Sequence, residues 1–150
     1  PLEWLPKPTE ESLQDTRVPN KEYVIDGNIS VFIHSFPSRT IEERIPPGAQ
    51  VQRWKAQFDQ TPLPTFHLSP QAFSGYSGYL LEGRGCIKGK NTRMLAWALS
   101  LPPKSYFSLK NPETQSDITI KIVGDEDSVD IHEETIRRSA RTFELLEAIL

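Results

Sequence analysis

Residues 116–150 constrain the fold more than any other stretch of this 150-residue chain. Isoleucine recurs on alternate positions at Ile118, Ile120 and Ile122, the period of a strand with one apolar face. Gly124 and the acids that follow break the run and supply side chains able to cap a helix. Val129, Ile136, Ala140, Phe143, Leu146 and Leu150 then return at helical spacing as one stripe, with no Pro or Gly to interrupt it. A strand and a helix that each own one apolar face, joined by a short turn, most simply pack on each other. That unit is the nucleus of an α+β domain.

The rest of the chain supplies more strands and one more helix. Ile29, Val31 and Ile33 alternate with Ser30, Phe32 and His34, predicting a strand bounded by Gly27-Asn28 and Pro37. Residues 40–45 read as a second short strand, ended by Pro46-Pro47-Gly48. Val51, Trp54 and Phe58 fall at i, i+3 and i+7, which predicts a short helix over about 48–59 with Pro47 suited to its first turn. Residues 60–70 hold three prolines and read as loop. Residues 79–82 read as a strand and 83–91 as a hairpin connection. Residues 92–101 return as a strand buried on both faces, since Met94 to Leu99 has no polar member. Residues 102–115 read as loop before the final strand and a helix over about 128–148. Hairpin-length links imply a mainly antiparallel sheet, and helices on its faces make an α/β/α sandwich.

Charge is divided along the chain. Residues 84–110 carry Arg84, Lys88, Lys90, Arg93, Lys104 and Lys110 with no acid, whereas residues 125–150 are acid-rich. The net charge of −3 argues against a nucleic-acid binder. Apolar content of 37% is low enough to place part of the chain outside the core. Residues 1–27, rich in Pro and charge, read as an extended arm, ordered only where Trp4, Leu5 or Tyr23-Val24-Ile25 meets a surface. Residues 28–150 then form a single domain. Such an arm suits a tether between a lipidated cysteine and a folded domain, which points to an exported protein, periplasmic or membrane-anchored. A cytoplasmic setting is the alternative. The single Cys86 excludes an internal disulfide and a multi-cysteine metal site. No stretch is apolar enough to be a transmembrane segment.

Candidate chemistry is sparse. Residues 83–93 alternate Gly with Arg and Lys, a composition that lets backbone N–H groups and the side chains of Arg84, Lys88, Lys90 and Arg93 meet an anion such as a lipid headgroup. The nucleotide P-loop spacing fails, because Asn91 follows Lys90 where Ser or Thr is required. Phe73, Tyr76 and Tyr79 stand among small residues and could wall a ligand cleft together with Trp97. Asp125, Asp127 and His132 near the start of the last helix could gather a divalent cation, although acids there also simply suit the helix dipole. Glu133 with Arg137 and Glu134 with Arg138 form i, i+4 pairs expected on a solvated face. Gly75-Tyr76-Ser77-Gly78 lacks the second spacer of a Gly-x-Ser-x-Gly elbow, and no acid–base pair is visible.

The order of elements, with the ending SDITIKIVGDEDSVDIHEETIRRSARTFEL, the Ser139-Ala140-Arg141-Thr142-Phe143 close and the short helix at GAQVQRWKAQF, resembles the PsbP/Mog1-like family over about residues 28–148. The resemblance implies an antiparallel sheet between helices and an accessory or binding protein rather than an enzyme. It brings no catalytic set to carry over. The expected function is a non-catalytic accessory or binding domain of an exported, lipid-anchored bacterial protein, meeting a protein partner or anionic headgroups. A small-ligand carrier and an unrecognised hydrolase are the alternatives.

Overall fold

A computed structural model describes residues 5–6, 21–36, 42, 44–73, 75–102 and 117–141. Three strands come first: β1 (Leu5–Pro6), β2 (Lys21–Ile25) and β3 (Ile29–Phe36). Helix α1 (Pro47–Lys55) follows, then β4 (Thr65–Phe73), β5 (Tyr76–Ile87), β6 (Lys90–Ser100) and β7 (Asp117–Asp125), and α2 (Glu126–Arg141) closes the described chain. The strands form one sheet in the order β1-β2-β3-β7-β6-β5-β4, with every neighbour antiparallel. This is an α+β domain built on a meander whose last strand, β7, inserts between β3 and β6.

The pleat sorts the core into two clusters. Ile118, Ile120 and Ile122 lie opposite Leu99, Trp97 and Leu95 of β6, and that face is buried with Val129, Ile136 and Ala140 of α2. The alternate residues Met94, Ala96 and Ala98 join Leu81 and meet Val51, Trp54 and Phe58 from α1 and the turn after it. Residues Met94 to Leu99 are therefore all apolar because both of their faces are covered. Alanine at 96 and 98 leaves room for Trp54. The stripe read along the last helix is buried at Val129, Ile136 and Ala140, while Phe143, Leu146 and Leu150 lie outside the described residues.

Several boundaries differ from the sequence reading. The arm contributes β2, which pairs along its whole length with β3, and the two residues of β1 pair with β2. The stretch read as loop at 60–70 contains the first six residues of β4, which among the described residues is an edge strand bonded only to β5. Its proline is tolerated there because an edge needs no donor on its open side. The 83–91 connection shrinks to Lys88-Gly89, a two-residue turn with φ of +52° and +78°, whose twist matches its flanking strands. No strand forms at the described part of residues 40–45: Glu42 is in a single helical turn and Arg44 is irregular.

That irregular segment is clasped to the sheet. Arg44 donates Nε to Asp117 Oδ2 at 2.8 Å and Nη2 to Asp117 Oδ1 at 2.5 Å, and also reaches Ser100 Oγ and the Leu101 carbonyl. Both side chains are almost fully buried. The pair ties the lead-in of α1 to the point where β6 ends and β7 begins.

Candidate functional site

The basic region and the acidic helix face each other. Register places Arg84 directly opposite Arg93, two like charges on adjacent strands. Asp130 of α2 meets both, accepting from Arg84 Nη2 at 2.9 Å and from Arg93 Nη1 at 2.6 Å. Glu126 takes Arg84 Nη1 at 2.8 Å, and Glu133 pairs with Arg93. Arg137 bridges Glu82 and Glu133. The Arg93 side chain is only 6% exposed. Its Nε has no hydrogen-bond partner among the described residues. The Arg84 and Arg93 guanidiniums hold the Asp130 carboxyl below its ordinary range, and Arg93 followed by Arg137 does the same for Glu133. The Glu133–Arg137 pair is thus a link to the sheet, correcting its assignment to a solvated face, because the helix turns Glu133 toward Arg93. Glu134–Arg138 does lie in solvent.

The hairpin tip is also engaged. The N–H groups of Lys88 and Gly89, aligned as an anion-binding turn would align them, donate to Asp59 at 3.2 and 2.8 Å. The chain's own carboxylate fills that position. Gly83 and Gly85 serve packing instead: a Cβ at Gly83 would lie 2.9 Å from Phe58, and one at Gly85 would lie 2.8 Å from Pro64. Of the four basic residues singled out here, Arg84, Lys88 and Lys90 are exposed, Arg84 while paired with Glu126 and Asp130, and Arg93 is buried.

The three cation candidates are not drawn together. Asp125 Oδ2 accepts from the Ser128 N–H and hydroxyl, His132 pairs with Asp26, and Asp127 is exposed. Among the described residues, no three His, Cys, Asp or Glu side chains are grouped to hold a metal ion. Asp125 and Lys90 share an open, mostly polar cleft of about 640 Å³ with Asn28, Asn91 and Thr92 at one end of the sheet.

The aromatic candidates separate by face. Tyr76 and Trp97 are core, and Phe73 packs against the same cluster. Among the described residues, Trp97 is packed between the sheet and α2 among isoleucine and leucine side chains, which fill the space expected for an aromatic-lined cleft. Tyr79 lies on the α1 side and is 39% exposed. It borders a shallow groove of about 580 Å³ with Pro47, Pro70, Ala72 and Ser100. Gly78 in the groove has no room for a side chain, since a Cβ would meet the Ala98 carbonyl oxygen at 1.8 Å. On the same face of β4, Leu68 is 42% exposed.

The free edge of β4 has a defined polarity. Phe73 and Tyr76 close the β4–β5 hairpin, so that pair is hydrogen-bonded and every second pair with it. Pro70 opposite Tyr79 then falls at a non-bonded pair, as a residue lacking an N–H must. Backbone groups of Phe66, Leu68 and Ala72 share its parity and point outward.

Sequence reasoning missed Asp59, Leu68 and Lys121. Asp59 and Leu68 stood in or beside the stretch read as loop. Lys121 holds a position that a one-faced strand assigns to solvent, yet it is half-buried.

No family model matches this chain, and no curated protein matches it. A solved structure titled "Crystal Structure of Protein of Unknown Function PA94 from Pseudomonas aeruginosa, Putative Regulator" is similar to it at 15% identity, with a TM-score of 0.47, covering 76% of this chain and 70% of that one.

Proposed function

We propose that the chain is a non-catalytic accessory or binding domain that holds an extended segment of a protein partner along the open edge of β4. The observation that carries this reading is the edge itself. Among the described residues, the nine of β4 bond on one side only, and their outward backbone groups stand next to exposed Leu68 and Tyr79 and the groove beside Pro70. An extended peptide supplies the missing ladder bonds, and its alternate side chains would reach Leu68 and the groove. Pro70 removes one donor and so favours one register. In this reading the sheet is the middle layer of an α/β/α sandwich of the PsbP/Mog1-like kind, a view supported by the separate clusters that α1 and α2 make. The setting proposed is an exported, lipid-anchored bacterial protein, for which the Pro- and charge-rich composition of residues 1–27 is the support.

Selection of peptides from a random library tests the edge. Bound peptides should slow amide exchange at Phe66, Leu68 and Ala72, and the double variant Leu68→Glu/Tyr79→Ser should lose at least about tenfold in affinity. Lys88→Glu/Lys90→Glu should bind as the parent does. Peptides that protect other amides, or that bind the edge variant equally well, would overturn the reading.

A further inference from the structure

Helix α1 and the turn after it cover one face of the sheet over Met94, Ala96 and Ala98, but that face continues past them. Thr92 and Lys90 lie two and four residues before Met94 on β6, so they share its side of the pleat. Register sets Thr92 opposite Asp125, and puts Met94, Val123 and Ser30 on one rung across β6, β7 and β3. Lys121, two residues from Val123 and on the same side, marks the boundary with α1. Its Nζ stands 5.0 Å from the centre of the Phe32 ring and donates to Gln57 Oε1 at 3.3 Å. Beyond that boundary lies the open cleft of about 640 Å³, within the span of about 300–1,000 Å³ usual for small-ligand sites. Its floor is aliphatic where Ile87 and Val123 lean on the α1 cluster, and its rim is polar.

The rim is held in place by the chain itself. Asp125 gives Oδ2 to the Ser128 N–H and hydroxyl, which fixes its carboxylate. The Thr92 hydroxyl donates to the Lys90 carbonyl at 2.8 Å, and the Asp125 N–H donates to the Asn28 carbonyl at 3.3 Å. Gly124 permits that approach, since a Cβ there would meet the same Asn28 oxygen at 2.3 Å. Asn91 accepts from the Cys86 thiol at 3.5 Å and keeps its NH2 group. Among the described residues, no hydrogen bond or ion pair takes up the Asn28 amide, the Lys90 ammonium or Asp125 Oδ1. An ammonium only donates, a carboxylate only accepts, and the two Asn amides do both. A hydroxyl is the neutral group that satisfies all of them, because it donates and accepts at once. A carboxylate ligand would instead face Asp125, and an amine would face Lys90. We propose that this cleft binds an uncharged saccharide. Its hydroxyls bridge Lys90, Asp125 and the amides of Asn28 and Asn91, while the C–H face of a ring rests on Ile87 and Val123.

The test titrates the whole chain with glucose, galactose, mannose and N-acetylglucosamine, following backbone amides by NMR. At least one sugar should shift the amides of Ser30, Asn91 and Gly124 saturably, with a dissociation constant in the millimolar range that suits an open site. Lys90→Met should weaken binding by about threefold or more, and Lys90→Met/Asp125→Asn by about tenfold or more. Both variants should keep the parent's melting curve, because the two side chains are exposed and Asn can still accept from Ser128. The edge variant Leu68→Glu/Tyr79→Ser should bind the sugar as the parent does, so this site and the peptide edge stand or fall separately. No saturable shift with any of these sugars would overturn the proposal, as would undiminished binding by Lys90→Met. Tighter binding of glycine betaine or inorganic phosphate in the same cleft would also overturn it, by making the ligand an ion.

Discussion

At the scale of single residues, Lys121 is where burial and charge disagree most. Its aliphatic stem suits the half-buried position, but its ammonium loses water and stands near Arg53. The folded pKa of about 8 lies below the ordinary 10.5. Between those values the unfolded chain holds a proton that the folded chain lacks, so stability from this site rises with pH across the window. Below pH 8 the cost is fully present. Lys121→Met keeps the stem and drops the charge. The variant should be more stable than the parent at pH 7 by about 1–2 kcal/mol, a figure reduced for partial solvent access and for the lost ring contact. Denaturant titrations at a series of pH values should show the gap closing toward pH 10. A parent as stable as the variant at pH 7, or a gap that ignores pH, would show Lys121 to be solvated.

At the scale of elements, the described part of the fold was legible wherever local pattern and final environment coincide. Alternating isoleucine gave β7, the unbroken apolar run at 94–99 gave a doubly covered β6, and the Val129–Ile136–Ala140 spacing gave the buried face of α2. Strand β4 was illegible because its signals are those of an edge. Proline in a run normally argues against a strand, and only the knowledge that one side stays unpaired reverses that. The clasp of Arg44 on Asp117 was equally hidden, since 73 residues separate the two. It leads to a contrast between ion pairs. Arg44→Ala leaves the buried Asp117 without its cation, a loss of about 3 kcal/mol, at the low end for such sites because the Leu101 N–H still donates to the carboxylate. Arg138→Ala breaks a pair whose side chains are 73% and 87% exposed and should change stability by no more than a few tenths of a kcal/mol. Urea midpoints of the two variants, read side by side, measure the difference. Equal midpoints would mean that Arg44 is not seated in the sheet.

At the scale of the whole molecule, the sequence showed that one region is basic and another acidic, but not that they meet. That depends on register. Only when Arg84 falls opposite Arg93 do two guanidiniums crowd one spot on the sheet, and only then does a helix with acids at 126, 130 and 133 become the partner that relieves them. In the candidate anion loop the same register gives Arg84 and Arg93 to acids of α2, and two backbone donors of the turn go to Asp59. This arrangement makes stability depend on acid. Asp130 and Glu133 titrate below their ordinary range in the folded chain, chiefly through hydrogen bonds from Arg84 and Arg93 respectively. Such groups stabilise the fold fully above the unfolded carboxylate range near pH 4, and that contribution fades as pH falls through their folded values. The double variant Asp130→Asn/Glu133→Gln should therefore be less stable than the parent at pH 7, with a shallower decline between about pH 5 and pH 2. The two stability curves should converge once the parent's carboxyls are protonated. Salt at about 1 M should narrow the neutral-pH gap only in part, because Arg84 is exposed but Arg93 is buried. Parallel curves down to pH 2 would mean that these acids do not engage the arginines, and α2 would then have to lie elsewhere on the sheet.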